Sequence, residues 1–374
     1  MAFARSLGAC GIPVIYVTDD TPLPGWSRFV RETVRWPGPH DEQAVPFLLD
    51  AAKRRGWHGY LLVAGGDAEV RLVSEHRARL AAAYSIILPD WQALSWLCEK
   101  PLLYKRAAEL GVRTPSTHAF GSAEAIASAD VRFPVVLKPN MGGGNNAFAK
   151  AKVIRADDMR SFQLAFRDAC AQIGAQNVVV QELIPGGGES QFSYAALWNE
   201  GKPVAELTAR RSRQYPVDFG YTSTCVEVLD EPEAAEAART MLASVGFSGL
   251  VEVEFKRDGR DGALKLLDVN PRPWSWFGLC RAAGIDLGAM LWDVSQKRPV
   301  RPAAARQGVA WVYLVRDVVA AIALMRRGDI GAAAYMRSLR KARSWATFAL
   351  DDPLPGLIDI PLTVWRVLTR RILG

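Results

Sequence analysis

The chain is poor in the residues that build zinc, disulfide and histidine-based sites. Its 374 residues include five cysteines and four histidines. The cysteines occur singly, without a Cys-x-x-Cys pair or a Cys/His cluster, so neither a zinc site nor a disulfide framework is indicated. The histidines match no catalytic arrangement, and no nucleophile-elbow serine motif is present. This cysteine usage favours a reducing compartment, and we expect a cytoplasmic protein.

Long apolar runs are also missing. The start, MAFARSLGACGIPV, lacks the apolar core of a signal peptide. The apolar run at residues 318–325 is far shorter than the roughly 20 residues that span a bilayer. No repeat or low-complexity block occurs. Hydrophobic residues make up 49% and charged residues 23% of the chain, which is typical of a globular protein with two or three domains.

The net charge of +7 is concentrated at the C-terminal end. Residues 301–374 contain 12 Lys and Arg against 5 Asp and Glu, which accounts for the whole excess. A nucleic-acid binder is expected to carry its basic residues along a face or groove of the whole fold, so no nucleic-acid partner is predicted. A basic end of this kind is compatible with an anionic surface or substrate.

The last residues have the spacing of an amphipathic helix. Five apolar residues recur at helical intervals: Leu357, Ile360, Val364, Leu368 and Ile372. Arg366 and Arg370 lie on another face of the same helix. Two interpretations remain open. The helix either docks on its own domain, or it contacts anionic lipid as a peripheral element at the inner face of the membrane.

Strand-like and helix-like segments alternate in the first part of the chain. Short apolar runs predict strands at residues 13–17, 28–34, 59–66 and 85–89. Helical patterns at residues 41–55 and 67–82 separate them, which predicts a parallel α/β unit. A further helical stretch covers residues 91–110 and ends at a glycine.

The middle of the chain contains two more units. A strand at residues 133–139 is followed by a glycine loop and a helix at residues 157–173. Several strands, a helix at residues 231–245 and an acidic hairpin come next, and the remainder is mainly helical. We therefore predict four units, at residues 1–98, 99–176, 177–290 and 291–374.

The acidic hairpin, VEVEFKRDGRDGALKLLDVNPRPWSW, is the most informative stretch. Side chains alternate along a strand, so Glu252 and Glu254 share a face, as do Asp268 and Asn270. If the strands pair, Glu254, Asp268 and Asn270 converge. Two carboxylates and an amide oxygen suit Mg²⁺ or Mn²⁺, with further oxygens from a phosphate. The alternative is a solvated hairpin with ordinary surface acids.

Other patterns precede this hairpin in a fixed order. Glu99-Lys100 opens a helix, and Lys138 closes an apolar strand ahead of three glycines. The segment QELI at residues 181–184 is followed by Pro-Gly and Glu189, and then by an arginine-rich segment. Lysines neutralise phosphate oxygens, and a glycine loop lets backbone N–H groups approach phosphate. An extended segment such as QELI can bond a purine edge through its backbone.

In this order the patterns resemble the ATP-grasp superfamily. The nearest similarity is to its carboxylate–amine ligases, including the carbamoyl-phosphate-synthetase-like and D-aspartate-ligase-like members. It covers about the first 285 residues, on the usual size of such domains. The resemblance implies an ATP-grasp fold of α/β and α+β class. A preATP-grasp-like N-terminal domain precedes a small subdomain with the glycine loop and a large subdomain with the metal site, and a helical extension follows. Because residues 2–8 already have the pattern of the first helix, we expect either that the first strand is missing or that the start codon is misplaced.

The resemblance also implies a role for each matched residue. Lys100 and Lys138 are expected to bind ATP phosphates, under a lid formed by Gly142, Gly143 and Gly144. The expected adenine and ribose contacts are Gln181 and Glu182, Ile184 as a backbone donor or apolar wall, and Glu189. The expected metal ligands are Glu254, Asp268 and Asn270, where Asp268 replaces the usual glutamate. The expected catalytic arginines are Arg272 near the transferred phosphate, and Arg211 and Arg213 in a segment that closes on the substrate.

These roles imply an ATP-dependent ligase that activates a carboxylate as an acyl phosphate and joins it to an amine. The partners are then small-molecule acids and amines, and an oligomer is compatible with the sequence. Two alternatives remain. A carboxylase would use bicarbonate as the acid, although no biotin-attachment pattern is present. A nucleotide-binding regulatory protein would have a degenerate site, whereas Lys138, Glu254, Asp268 and Asn270 are intact.

Overall fold

The computed structural model describes residues 1–19, 23–122, 125–126, 131–140, 153–218 and 222–372. The predicted lid glycines, Gly142, Gly143 and Gly144, lie outside these residues. The described residues form thirteen α-helices and thirteen strands in three sheets. Short 3₁₀ turns occur at Leu23–Trp26, Ala175–Asn177 and Gly188–Ser190.

The N-terminal part packs helices around a small parallel sheet. Its elements are α1 (Ala2–Ala9), β1 (Val14–Thr18), β2 (Val30–Arg35), α2 (Ala44–Arg54), α3 (Asp67–Glu75) and α4 (Arg77–Leu80). Strands β1 and β2 pair in parallel, as predicted. The strands predicted at residues 59–66 and 85–89 are wrong, because these runs pair only through one bridge, Leu61 with Ser85. Glycines at the end of the first run and Pro89 in the second disfavour a longer ladder of hydrogen bonds between these two runs.

The helix predicted at residues 91–110 is divided into α5 (Trp91–Cys98) and α6 (Lys100–Glu109). Glu99 between them is extended, with φ −88° and ψ 117°. Pro101 explains the break, because a proline ring clashes with the carbonyl four residues earlier in a continuous helix. The break makes Lys100 the first residue of α6.

A four-stranded antiparallel sheet follows, in the order β3-β6-β4-β5. Its elements are β3 (Thr117–Ala119), β4 (Val135–Pro139), β5 (Ile154–Ala156), α7 (Met159–Ile173) and β6 (Val178–Glu182). The aromatic side chains of Phe162 and Phe166 on α7 are fully buried against the strands. This sheet, called here the small sheet, carries Lys138 and Gln181.

A seven-stranded sheet, called here the large sheet, has the order β11-β10-β7-β8-β9-β12-β13. Its strands are β7 (Gln191–Asn199), β8 (Lys202–Tyr215), β9 (Thr222–Val228), β10 (Gly249–Arg257), β11 (Leu264–Asn270), β12 (Ala310–Val312) and β13 (Ala342–Trp345). The helices that follow its strands are α8 (Pro232–Ala243), α9 (Gly278–Ala282) and α10 (Leu287–Ser295). One face packs against Trp274, Trp276 and helices α9 and α10.

The last part of the chain forms α11 (Leu314–Arg327), α12 (Ala332–Arg340) and α13 (Leu354–Ile372). It also supplies β12 and β13 to the large sheet, so the predicted unit 291–374 shares a sheet with the unit before it. Within the described residues, no helix is both long and apolar enough to cross a membrane.

Helix α13 exposes the first two residues of the apolar row that its sequence suggests. Leu357 and Ile360 are 58% and 52% exposed, whereas Asp359 between them is buried and accepts a hydrogen bond from Tyr313. The helix therefore rests on the fold through a partly polar face and leaves apolar side chains outside. Docking through this row, one of the two interpretations of the sequence, is therefore wrong for Leu357 and Ile360, and the side chains of Val364, Leu368 and Ile372 lie outside those that the structure describes.

Candidate active site

The acidic hairpin forms with a register that places its polar side chains together. Strands β10 and β11 pair so that Glu252 lies opposite Asn270 and Glu254 lies opposite Asp268. Residues directly opposite each other in an antiparallel pair have side chains on the same face of the sheet. The three predicted metal ligands, Glu254, Asp268 and Asn270, are therefore neighbours on the face that carries Trp276.

Asn270 connects the two glutamates with Arg272. Its amide nitrogen donates to Glu254 Oε1 at 3.0 Å and to Glu252 Oε2 at 3.5 Å. Its amide oxygen accepts from Arg272 Nη2 at 3.2 Å. A ligand role needs the oxygen to face the glutamates instead, and rotation of the carboxamide by a half turn exchanges the two atoms.

Glu252 is a functional candidate that the sequence analysis left without a role. It is 4% exposed and accepts hydrogen bonds from Trp276 Nε1 at 2.8 Å and Ser193 Oγ at 3.1 Å. Burial raises the pKa of Glu252 to about 7, and the negative charge of Glu254 acts in the same direction. The sequence contains a pattern that could have identified Glu252. The two-residue spacing of VEVE puts Glu252 on the same face of the strand as Glu254.

The chemistry of this cluster fits a hard cation. Its side chains offer oxygen donors, which is the preference of Mg²⁺ and Mn²⁺. Among the described residues, no three His, Cys, Asp or Glu side chains are grouped closely enough to hold a metal alone. A cation here would therefore take Asn270 and external oxygens as well, as Mg²⁺ sites built from one or two carboxylates and a phosphate do.

Two lysines from other elements reach the same place. Lys100, at the start of α6, is 6% exposed and lies with its Nζ 3.4 Å from Asp268 Oδ2. Lys138, at the end of β4, donates to Gln181 Oε1 at 2.8 Å. Burial lowers the pKa of Lys138 to about 8, and Lys100 adds to this effect while Asp268 and Glu254 oppose it. The small and large sheets therefore bring their charged groups into one site.

The two arginines of β8 that were predicted to be catalytic, Arg211 and Arg213, lie on opposite faces of the large sheet. Arg211 pairs in register with Val226, and Arg213 pairs with Cys225, because an extra residue, Ser212, interrupts the ladder. Adjacent residues of β9 face opposite sides, so the two arginines do as well. Arg211 Nη2 reaches Glu254 Oε2 at 3.2 Å and belongs to the site.

Arg213 instead forms a buried ion pair with the C-terminal helices. Its Nε and Nη2 donate to the two carboxylate oxygens of Asp317 at 2.9 and 2.8 Å, and its Nη1 donates to Ser338 at 2.8 Å. The resemblance implied that Arg213 lies with Arg211 in a segment that closes on the substrate. The structure does not place it there, because the bulge at Ser212 turns its side chain to the other face.

The predicted adenine hinge uses its side chains for internal contacts. Gln181 is fully buried, accepts from Lys138 and donates to Thr117 Oγ1 at 3.1 Å. Glu182 accepts from Lys265 Nζ at 3.3 Å and also pairs with Arg260, both in or near the hairpin turn. The side chain of Glu182 thus ties the small sheet to the acidic hairpin, and its backbone N–H donates to the Ser116 carbonyl at 2.9 Å.

The other predicted contacts lie around this hinge. Ile184 is buried at 3% exposure, which suits an apolar wall. Glu189 accepts from the backbone N–H of Gly187 at 3.0 Å in a 3₁₀ turn. Lys256, which the sequence analysis did not single out, donates to the Gly186 carbonyl at 2.7 Å. Burial lowers the pKa of Lys256 to about 8, and the charge of Glu189 opposes that shift.

Arg272 joins the N-terminal part of the chain to the site. Its Nε pairs with Asp67, the first residue of α3, while its Nη2 holds Asn270. Arg272 thus contacts Asn270, one of the predicted metal ligands, and its expected role near the transferred phosphate stays a prediction. The carboxylates, Lys100, Lys138, Arg211 and Arg272 together form a polar centre in which anionic phosphates and a cation can be neutralised.

Comparison with known proteins gives matches in sequence and in fold. Residues 178–316 match the family described as "ATP-grasp in the biosynthetic pathway with Ter operon". The D-aspartate ligase of Enterococcus faecium (strain Aus0004) is 22% identical over 275 residues. That alignment covers 69% of this chain and 64% of the relative, so the chain matches less than two thirds of the relative's length.

Solved structures extend the likeness over most of the chain. The L-amino acid ligase of Bacillus licheniformis superposes with a TM-score of 0.63 at 15% identity, over 82% of this chain and 75% of that one. The biotin carboxylase domain of the Hydrogenobacter thermophilus 2-oxoglutarate carboxylase, in complex with MgADP, ADP and bicarbonate, gives 0.62 at 16% identity, over 82% and 70%. The ATP-grasp fold predicted from the order of the sequence motifs is confirmed by these superpositions and by the family match at residues 178–316.

Proposed function

We propose that the protein is an ATP-dependent ligase that activates a carboxylate as an acyl phosphate and joins it to an amine. The observation that carries this proposal is the meeting of Lys100 and Lys138 with Glu254, Asp268 and Asn270 at one site. Both relatives named above as ligases, the D-aspartate ligase and the L-amino acid ligase, are consistent with it.

Each part of the site has a task in this proposal. Lys100 and Lys138 would bind the phosphates of ATP, and Gln181 would orient Lys138 through their hydrogen bond. Glu254, Asp268 and Asn270 would hold Mg²⁺ or Mn²⁺, which when bound neutralises phosphate charge. Glu252, which Trp276 and Ser193 hold, lies opposite Asn270 and would add a second buried carboxylate beside these ligands.

The reaction proceeds in two displacements. An oxygen of the substrate carboxylate attacks the γ-phosphorus of ATP, the bond to the β–γ bridging oxygen breaks, and ADP leaves. The amine nitrogen then attacks the acyl carbon, inorganic phosphate leaves and the nitrogen loses a proton. Arg211 and Arg272, which contact Glu254 and Asn270, would stabilise the negative charge on the transferred phosphoryl and acyl oxygens. The protein contributes mainly positioning and charge neutralisation.

Fold likeness alone does not select between a ligase and a carboxylase, since the two solved structures superpose about equally well. A screen of ADP release distinguishes the ligase from the carboxylase. We expect turnover only when an acid and an amine are both supplied, across a panel of amino acids, polyamines and uronic acids. Hydroxylamine should trap the activated acid as a hydroxamate. Turnover that depends on bicarbonate would instead identify a carboxylase, and ATP binding without turnover on the whole panel would identify a regulatory protein.

The buried Lys138 predicts how ATP affinity depends on pH. Its pKa of about 8 means that the ammonium group carries a positive charge below that pH and loses it above. Since only the charged form attracts phosphate, we expect the Kd for a non-hydrolysable ATP analogue to rise above about pH 8, by up to about tenfold per pH unit. Calorimetric titration at several pH values measures this.

Lys138→Arg is the matched variant for this experiment, because arginine stays protonated over the whole range. It should reduce the pH slope, and any slope that remains belongs to other groups, of which Lys256 is one. An unchanged slope in Lys138→Arg would show that Lys138 does not contact the phosphates.

The free cysteines and the use of ATP indicate the cellular compartment of the proposed reaction. All five cysteines are free in the structure, and the proposed reaction consumes ATP. We therefore propose that it takes place in the cytoplasm, where thiols stay reduced.

A further inference from the structure

A cavity of about 840 Å³ lies between α1, α9, β13 and the segment before α13. Small-molecule sites commonly have volumes of about 300 to 1,000 Å³, so the cavity is large enough for a metabolite or a lipid headgroup. None of its lining residues belongs to the ATP, metal or catalytic sets described above. We call it the arginine cavity, after the four arginines that line it: Arg5, Arg281, Arg306 and Arg343.

The positive charge of the four arginines in the arginine cavity is only partly neutralised by carboxylates. Arg5 is buried in an ion pair with Asp352, and Arg281 lies 3.3 Å from Asp286. Arg306 and Arg343 differ, because within the described part of the chain their guanidinium groups donate only to backbone carbonyls. Arg306 donates to the Ala282 carbonyl at 2.7 Å, and Arg343 donates to two carbonyls at 3.0 Å.

Carbonyl groups accept hydrogen bonds but do not cancel a full positive charge, so these two guanidinium groups remain available to an anion. Both arginines are exposed. A single carboxylate, Asp351, is among the residues that line the cavity. The lining therefore has an excess of positive charge that a phosphate or a carboxylate complements.

Much of the remaining lining of the cavity is apolar, beside Ser6, Gln307 and Ser344. Phe277, Trp345 and Phe348 supply aromatic surface. Gly278 allows β13 to approach α9, because a Cβ at this position would lie 2.9 Å from Ser344 Oγ. The cavity thus combines an anion-binding side with a surface for an apolar group.

The cavity lies behind the aromatic residues of the candidate active site. The Phe277 ring contacts Trp274 edge-on, with ring centroids 5.2 Å apart, and Trp274 in turn contacts Trp276 at 5.3 Å. Trp276 donates to Glu252. A molecule in the arginine cavity would therefore touch the opposite side of the packing that holds Glu252.

We propose that the arginine cavity binds an anionic molecule, a phosphate or carboxylate group carried on an apolar body, with Arg306 and Arg343 as its charge partners. Two sources have this chemistry, a soluble compound and the headgroup of an anionic lipid. The second is consistent with the basic residues 301–374 and with Leu350 at the cavity, which is 92% exposed. The site is independent of the ligase proposal.

Phenyl phosphate is a suitable soluble probe, and phosphatidylglycerol vesicles, with phosphatidylcholine vesicles as the neutral reference, are the lipid probe. Calorimetry and vesicle sedimentation would be applied to the full chain and to an Arg306→Gln/Arg343→Gln double variant. We expect saturable binding of at least one probe, and a loss of about tenfold or more in its affinity in the double variant. Arg298→Gln, another exposed arginine outside the cavity, should bind as the unchanged protein does.

The two probes distinguish a soluble ligand from a lipid headgroup. Saturable phenyl phosphate binding without vesicle binding supports a soluble ligand, and arginine-dependent binding to phosphatidylglycerol vesicles supports a lipid headgroup. A non-hydrolysable ATP analogue should not displace phenyl phosphate. Displacement by the analogue, binding that is equal in the double variant, or no binding of either probe by a folded protein overturns the proposal.

Discussion

Replacing Glu254 with glutamine should lower ATP-dependent turnover by about a hundred- to a thousandfold. Glu254 lies opposite Asp268, accepts from Asn270 and pairs with Arg211, so its carboxylate is at the centre of the site. Glutamine keeps the shape of the side chain and removes its negative charge. The candidate metal site then loses a charged ligand, and Arg211 loses its partner. Steady-state ADP release measures the effect.

Glu233→Gln is a matched control for this change. Glu233 also pairs with an arginine of strand β10, Arg257, but that pair is well exposed and lies beyond the cluster of carboxylates. We expect its turnover to match that of the unchanged protein. Circular dichroism and thermal unfolding would show that both variants are folded. Full turnover in a folded Glu254→Gln protein would mean that Glu254 does not hold the metal.

Asp317→Asn should destabilise the fold by about 3 to 5 kcal/mol. Asp317 is fully buried and receives two hydrogen bonds from Arg213, which is also buried. Removing one charge leaves the guanidinium group without a counter-charge in the interior, where water cannot compensate. Since Arg213 is on β8 and Asp317 is on α11, the loss separates the C-terminal helices from the strand that carries Arg211.

Asp218→Asn is the control. Asp218 forms a bidentate ion pair with Arg327, which is on α11 like Asp317, but this pair lies on the surface. Exposed pairs contribute about 0 to 1 kcal/mol, so this variant should be nearly neutral. Denaturant unfolding gives the free energy of each variant. Similar losses in both, or no loss in Asp317→Asn, would show that the buried pair does not fasten α11 to the large sheet.

The active-site face of the acidic hairpin could be predicted because side-chain alternation is a local property of any strand. VEVEF and LLDVN each place polar side chains two residues apart, and the pairing of β10 with β11 then brings Glu254 and Asp268 together. Lys256 follows the same spacing one step further and could have been included. Its different environment, a bond to the Gly186 carbonyl, is not visible in the sequence.

Arg213 shows where this reasoning fails. Two arginines separated by one residue should share a face of a regular strand, and the extra residue at Ser212 reverses that expectation. A bulge depends on how β8 pairs with β9, which local sequence does not encode. The helix break at Glu99, in contrast, can be predicted from local sequence. Pro101 indicates a break just before it, and the structure has the break at Glu99.

The sequence by itself determined the order of the ATP-grasp motifs, the alternating carboxylates of the hairpin and the basic C-terminal end, because these depend only on neighbouring residues. The tertiary structure alone decided that Lys138 is held by Gln181, that Arg213 is paired with Asp317 and that the last segment completes the large sheet. It also formed the arginine cavity from segments more than 300 residues apart in the chain, such as Arg5 and Arg343. Contacts of this kind arise from packing and charge pairing between distant segments, and no local pattern specifies which distant partner a side chain will meet.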